Sequence, residues 1–195
     1  IWVFEPLPRE FAFLQQRFGS HSSVWLRQSA VSSSTGKSRF IVNVVAPEES
    51  GLRRRQYNDE ASAVIEPIEV AVTTLDAETD IRGVDFVKID VEGAEIDVLR
   101  GARELARRDR PIFSVEFGRA AYGVYGRDPA DLYELAEDWE YVLTDLLGHP
   151  FGDRDGWLAC VDRYYWDYLM IPAERFDTCF VQLADFPWPV PHTVA

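Results

Sequence analysis

Along this chain the apolar positions switch repeatedly between a period of two and a period near 3.6, so strands alternate with helices. Ile1-Trp2-Val3-Phe4 has the continuous apolar character of the middle of a buried strand, and Pro6 and Pro8 end it. A helix follows, with Phe11, Leu14 and Phe18 on one face and Gly19 as its stop. Val24 to Val31 reads as a second strand, Ser32 to Gly36 as a turn, and Arg39 to Val45 as a third strand forming a hairpin with what precedes it. Residues 46–63 are polar and irregular, with Arg53, Arg54 and Arg55 in a row, and a loop of that length is a candidate binding loop. Val64 to Leu75 alternates as an extended segment, with Pro67 demoting part of it to a sheet edge. Asp85 to Ile89 predicts a buried strand. Ala94, Val98, Ala102 and Leu105 step by four, four and three, the spacing of one helical face. Pro111 opens a strand from Ile112 to Phe117. Asp128 caps a helix that starts at Pro129 and turns Leu132, Leu135 and Trp139 inward. Tyr141 to Leu147 and Tyr164 to Ile171 predict two closing strands with no helix between them. Pro187, Pro189 and Pro191 make residues 183–195 an extended tail.

This alternation argues an α/β fold: a mostly parallel sheet with helices on both faces, to which the closing pair adds an antiparallel edge. At 195 residues, with no internal repeat, the chain reads as one domain, and 47% apolar residues suffice for one core and argue against general disorder. No apolar run approaches the roughly 20 residues of a membrane span, and no signal peptide opens the chain. The two cysteines, Cys160 and Cys179, exclude a disulfide scaffold and, without a histidine cluster, a zinc finger. They read as reduced thiols of a cytoplasmic protein. With 33 acids against 20 bases the net charge is -13, which repels nucleic acid and an anionic membrane and leaves a small molecule as the expected partner. Nothing in the pattern specifies an oligomeric state.

In an open parallel sheet, ligands bind outside the carboxyl ends of the strands. Three acidic sites follow predicted strands: Glu5, Asp90 with Glu92, and Glu116. Glu5 can accept hydrogen bonds from the vicinal hydroxyls of a ribose, or stand as a solvated acid near the start of the next helix. In the segment KIDVEGAE, residues 88–95, Lys88 and Asp90 share one face, and Asp90, Glu92 and Glu95 crowd a strand-to-helix corner. Gly93 would let that backbone approach a ligand closely. Crowded carboxylates raise one another's pKa, which suits a general base. The structural alternative has Asp90 capping the helix, Glu92 and Glu95 as first-turn acids, and Lys88 as partner to one of them. After Glu116, the loop from Gly118 to Gly126 carries Tyr122 and Tyr125, which either line an acceptor pocket or pack on the body of the domain. Arg53 to Arg55 are either solvated or steer an acidic acceptor. His21, His149 and His192 have no ligand spacing, and neither a nucleophile elbow nor a Walker loop is present.

Phe4-Glu5-Pro6, together with KIDVEGAE and Leu99-Arg100-Gly101-Ala102, resembles the FkbM family of S-adenosylmethionine-dependent methyltransferases. Further pieces fit in the same order: Ala30-Val31-Ser32, Val72 to Asp76, Pro111 to Glu116, and Tyr168 to Pro172. The resemblance implies a class I methyltransferase, Rossmann-like fold with a reversed final strand. It implies O-methyl transfer from S-adenosylmethionine to a hydroxyl of a small metabolite or sugar. Glu5, beside Pro6, would hold the cofactor ribose, and Ala30, Val31 and Ser32 would lie near the adenine. Asp90 and Glu92 would stand at the reacting edge as candidate proton acceptors, with Glu116 next. No residue is assigned to a metal, although the acids leave room for a divalent cation that lowers the acceptor's pKa. The family's first strand and its glycine-rich turn would come before Ile1, so the chain reads as a fragment truncated at its N-terminus. Two other readings stay open: a non-catalytic binding module of methyltransferase type, and a metal-dependent hydrolase built on Asp90, Glu92 and Glu116.

Overall fold

Among the described residues, 1–163 and 165–179 of a computed structural model, nine strands form three ladders. The tail 183–195, Tyr164 and His192 lie outside them. Strand β1 (Trp2–Phe4) pairs in parallel with β2 (Trp25–Arg27), and the facing indoles of Trp2 and Trp25 stack at 5.1 Å. Helix α1 (Pro8–Phe18) connects them. In the second ladder, β5 (Ile65–Thr73) lies between β3 (Ala30–Val31), which is parallel to it, and β4 (Gly36–Asn43), which is antiparallel. The third ladder runs β6-β7-β9-β8. Here β6 (Phe86–Ile89) and β7 (Ile112–Glu116) are parallel, while β9 (Asp167–Pro172) runs against both β7 and β8 (Tyr141–Thr144).

The expected mixed α/β class with a reversed last strand is therefore the observed one. Helices α2 (Glu95–Arg100), α3 (Arg103–Asp109), α4 (Arg119–Tyr122), α5 (Ala130–Asp138) and α6 (Arg154–Cys160) accompany the third ladder. Their apolar faces close the main core around Phe113, Val115, Tyr168 and Met170, with Leu99, Leu132 and Trp157 fully buried against them. A smaller cluster of Leu7, Ala30, Phe40 and Val70 belongs to the second ladder.

Several expectations are corrected. The segment Val24 to Val31 breaks into β2 and β3. Strand β4 forms no hairpin with what precedes it; it pairs along its whole length with β5, from Gly36 opposite Val72 to Asn43 opposite Ile65. Pro67 sits in the middle strand of its ladder, yet β3 reaches only Val72 and Thr73. Pro67 thus has a ladder partner on one side alone, Ile41, so its missing N–H costs nothing. The helix through Ala94 and Leu105 divides at Gly101 and Ala102. Gly101 backs onto the Ser32 carbonyl so closely that a Cβ there would lie 2.2 Å from the oxygen. Asp76 starts the second half, its carboxylate accepting from the Glu104 and Leu105 N–H groups. Helix α6 does intervene between the closing strands, capped by Asp153, whose side chain accepts from the Gly156 N–H at 2.8 Å. Phe86 in β6 is largely exposed, and only Ile89 of that strand is buried.

Candidate functional site

Strands β1 and β6 each have one hydrogen-bonded neighbour, and a cleft of about 1050 Å³ opens between them. Glu5, Pro6, Ala30 and Val31 line it from the β1 side, Asp90 and Glu92 from the end of β6. The cavity runs along the whole of both strands, which belong to different ladders, and takes in their carboxyl ends. Ser32 is not among the lining residues: its N–H is spent on Thr73 at 2.9 Å and its carbonyl backs Gly101.

Glu5 is fixed by the backbone on both sides. Its N–H donates to the Arg27 carbonyl at 3.0 Å, and its Oε1 accepts from the Leu7 N–H at 2.7 Å. Burial pushes this carboxyl above the ordinary range, against the lowering effect of the Leu7 N–H. Ala30 and Val31 are buried beside it and offer apolar surface.

The corner after β6 turns on two consecutive residues with positive φ, Glu92 at 58° and Gly93 at 107°. Glu95 holds it from inside. Its Oε1 accepts from the Gly93 N–H at 2.8 Å and, more weakly, from the Val91 N–H at 3.4 Å. Glu95 does stand in the first turn of α2, as expected, but it is 1% exposed, and its Oε2 has no hydrogen-bond partner. Burial raises its pKa to about 7, with the Asp90 charge adding to the rise.

A folded-state pKa near 7 lies above the ordinary value of 4.5, so folding favours the protonated form. That contribution is complete below about pH 4.5 and is lost as the pH climbs through 7. Glu95→Gln keeps an acceptor for Gly93 and removes the ionisation. The variant should gain on the wild type, by on the order of 3 kcal/mol, as urea denaturation is moved from pH 4.5 to pH 8.5. A difference that stays flat across that range would contradict the burial argument.

Beside this corner a second, much smaller pocket of about 20 Å³ is lined by Asp90, Glu92, Glu95, Glu116, Arg55 and Trp166. The structure thus brings Asp90, Glu92 and Glu116 together. Lys88 stands among them, 2.8 Å from Asp167 and 3.9 Å from both Asp90 and Glu116. Burial, then the charge of Asp90 and a hydrogen bond with it, raise the Glu116 pKa, as expected of two carboxyls that share a proton. No side chain caps α2, Asp90 included; Glu95 takes the nearby N–H groups.

Of the arginine run, Arg55 reaches the pocket and pairs with Glu92, both side chains largely buried. Arg53 lies over the Tyr125 ring at 5.0 Å, and Arg54 pairs with Glu60 at the surface. Of the two readings left open for Tyr122 and Tyr125, the structure shows packing on the body. Tyr122 stacks on Phe117 and donates to Asp162 at 2.5 Å, while the Tyr125 ring presses on Gly93. Arg55 and Trp166 are pocket residues that the pattern of the sequence did not reveal. The register could have located Trp166, because β9 begins with Asp167 opposite Glu116. Among the described residues no group of three or more His, Cys, Asp or Glu is arranged to hold a metal ion, so the divalent cation has no ligand set here. No helix among them is long and apolar enough to cross a membrane.

The profile described as the methyltransferase FkbM domain matches residues 1–146. The comparison with curated proteins found no match. Among solved structures, the chain is similar to a methyltransferase FkbM from Methylobacillus flagellatus KT, with 18% sequence identity and a TM-score of 0.48. The match covers 87% of this chain and 35% of that one, so the chain spans about a third of that protein's length.

Proposed function

The chain belongs to the FkbM methyltransferase family, and from that premise we propose that it carries the cofactor cleft and reacting edge of an O-methyltransferase that uses S-adenosylmethionine and acts on a hydroxyl of a small metabolite or sugar. One observation carries the reading: a single cleft is lined by Glu5, Ala30 and Val31 at one side and by Asp90 and Glu92 at the other.

When bound, S-adenosylmethionine would supply an electrophilic methyl group on a sulfonium, for transfer to an acceptor oxygen with a thioether as the leaving group. Glu5 accepts hydrogen bonds from the ribose hydroxyls, its carboxylate already oriented by the Leu7 N–H. Ala30 and Val31 give the adenine an apolar wall. Asp90, whose side chain is 47% exposed and so reachable, takes the proton of the acceptor hydroxyl. Glu116 relays or shares that proton with Asp90. Glu92 holds Arg55 and thereby fixes the loop 46–63 over the pocket.

Glu5→Ala tests the cofactor half. Calorimetry with S-adenosylmethionine should show affinity weakened roughly 10- to 100-fold, the loss of one or two charge-assisted hydrogen bonds, with turnover at saturating cofactor little changed. Unaltered affinity would remove Glu5 from the cofactor site. Cofactor binding with no transfer to any hydroxyl compound would favour the binding-module reading.

A further inference from the structure

The small pocket beside the β6 corner has more carboxylates than cations around it. Four carboxylates line it, Asp90, Glu92, Glu95 and Glu116, against one guanidinium, Arg55. Arg55 is committed to Glu92. Lys88, just outside, is closest to Asp167, which balances it. Asp90 and Glu116 therefore have only a share in Lys88, 3.9 Å from each, and Glu95 has no cation recorded against it. Carboxylates that outnumber the cations within reach leave a place for a ligand to supply further positive charge.

Two further observations point the same way. Glu95 is 1% exposed, and its Oε2, buried in the wall of this pocket, has no hydrogen-bond partner. The lining also includes an aromatic ring: Trp166, half exposed, lies over Gly118, where a Cβ would come within 3.2 Å of it. Carboxylates together with an indole are the surroundings that an ammonium group prefers, by ion pairing with the former and by attraction to the ring face of the latter. The volume of about 20 Å³ admits one water-sized group, which is the size of a protonated primary amine and smaller than a guanidinium or a phosphate. An anionic acceptor would meet the same charge as repulsion.

We propose that this pocket is a subsite for a protonated primary amine on the methyl acceptor, so that the substrate class is an amino alcohol or amino sugar methylated on a hydroxyl near its amine. The inference rests on the methyl-transfer reading for the word acceptor; the binding of the amine itself does not depend on it. Asp90 then faces the hydroxyl, while Glu116 and Glu95 face the ammonium group.

Ethanolamine and ethylene glycol are nearly isosteric and differ in carrying an amine or a second hydroxyl. Titrated into ¹⁵N-labelled protein at low salt and without S-adenosylmethionine, ethanolamine should shift the Trp166 indole and the Gly93 and Gly118 amide resonances. It should bind at least about tenfold more tightly than ethylene glycol. Glu116→Gln should bring the two ligands to within about threefold of one another. Should that variant fail to fold, the wild type carries the test: about 0.5 M NaCl should abolish most of the preference for ethanolamine and leave ethylene glycol unaffected. Equal affinity for the two ligands, or shifts confined to residues away from this pocket, would overturn the proposal. Because the cofactor is absent from the titration, failure of the methyl-transfer reading would show in calorimetry and turnover and leave this result intact.

Discussion

Gly93→Ala should destabilise the fold by roughly 3–5 kcal/mol, a large part of the 5–15 kcal/mol that typically separates folded from unfolded domains. The backbone at Gly93 has a φ of 107°, which an L side chain rarely adopts. A Cβ built there would lie 2.6 Å from the Ala121 carbonyl oxygen and 2.7 Å from Cε2 of Tyr125. Neither contact can yield cheaply: Ala121 is backbone of α4, and the Tyr125 ring is buried under Arg53. Gly123→Ala provides the matched comparison, because nothing lies within 4 Å of its Cβ position. Urea midpoints should therefore fall sharply for Gly93→Ala and stay within about 1 kcal/mol of the wild type for Gly123→Ala. Equal midpoints for the two variants would mean that the close approach of the corner to the 118–126 loop is not what seats it.

The same approach ties fold to site. Gly93 presses the corner against the loop that supplies Gly118 and Ala121, and that contact closes the small pocket around Asp90 and Glu116. Local pattern sufficed for much of this. Strand β7, the β6 end and the capped start near Asp128 all follow from short-range periodicity and turn chemistry, and each appears where that chemistry puts it. The pairing of β4 was not legible, because its alternation fits either neighbour and the choice is made by β5 thirty residues further on. Helix α6 was hidden by its brevity: seven residues do not complete enough turns to show an apolar stripe. In the site, the acids could be placed at strand ends from sequence alone, but not their partners. Glu95 looks like any first-turn acid until the corner's N–H groups are seen to fall on it. Arg55 lies 37 residues before Glu92 in a loop with no periodicity to orient it.

Asp90→Asn should reduce methyl transfer about 10²- to 10⁴-fold, the range for loss of a positioned general base, while leaving affinity for S-adenosylmethionine within about twofold. Asparagine matches aspartate in shape and still accepts a hydrogen bond, but it cannot take a proton at neutral pH. The distinction matters because Asp90 lines both the large cleft and the small pocket, so a binding role and a proton-transfer role are both open to it by position. Glu92→Gln separates the two acids of the corner. Glu92 is engaged by Arg55 and only 16% exposed, whereas the Asp90 side chain is 47% exposed. Neutralising Glu92 should loosen the 46–63 loop and act chiefly on KM for the acceptor, and neutralising Asp90 should act on kcat. Transfer of labelled methyl from S-adenosylmethionine to a panel of amino alcohols and sugars would measure both. If Asp90→Asn retained wild-type kcat, the proton would have to leave by Glu116 or through solvent. The rise in the Glu116 pKa, from burial first and the Asp90 charge second, would then mark the catalytic carboxyl, with Asp90 as a group that tunes it.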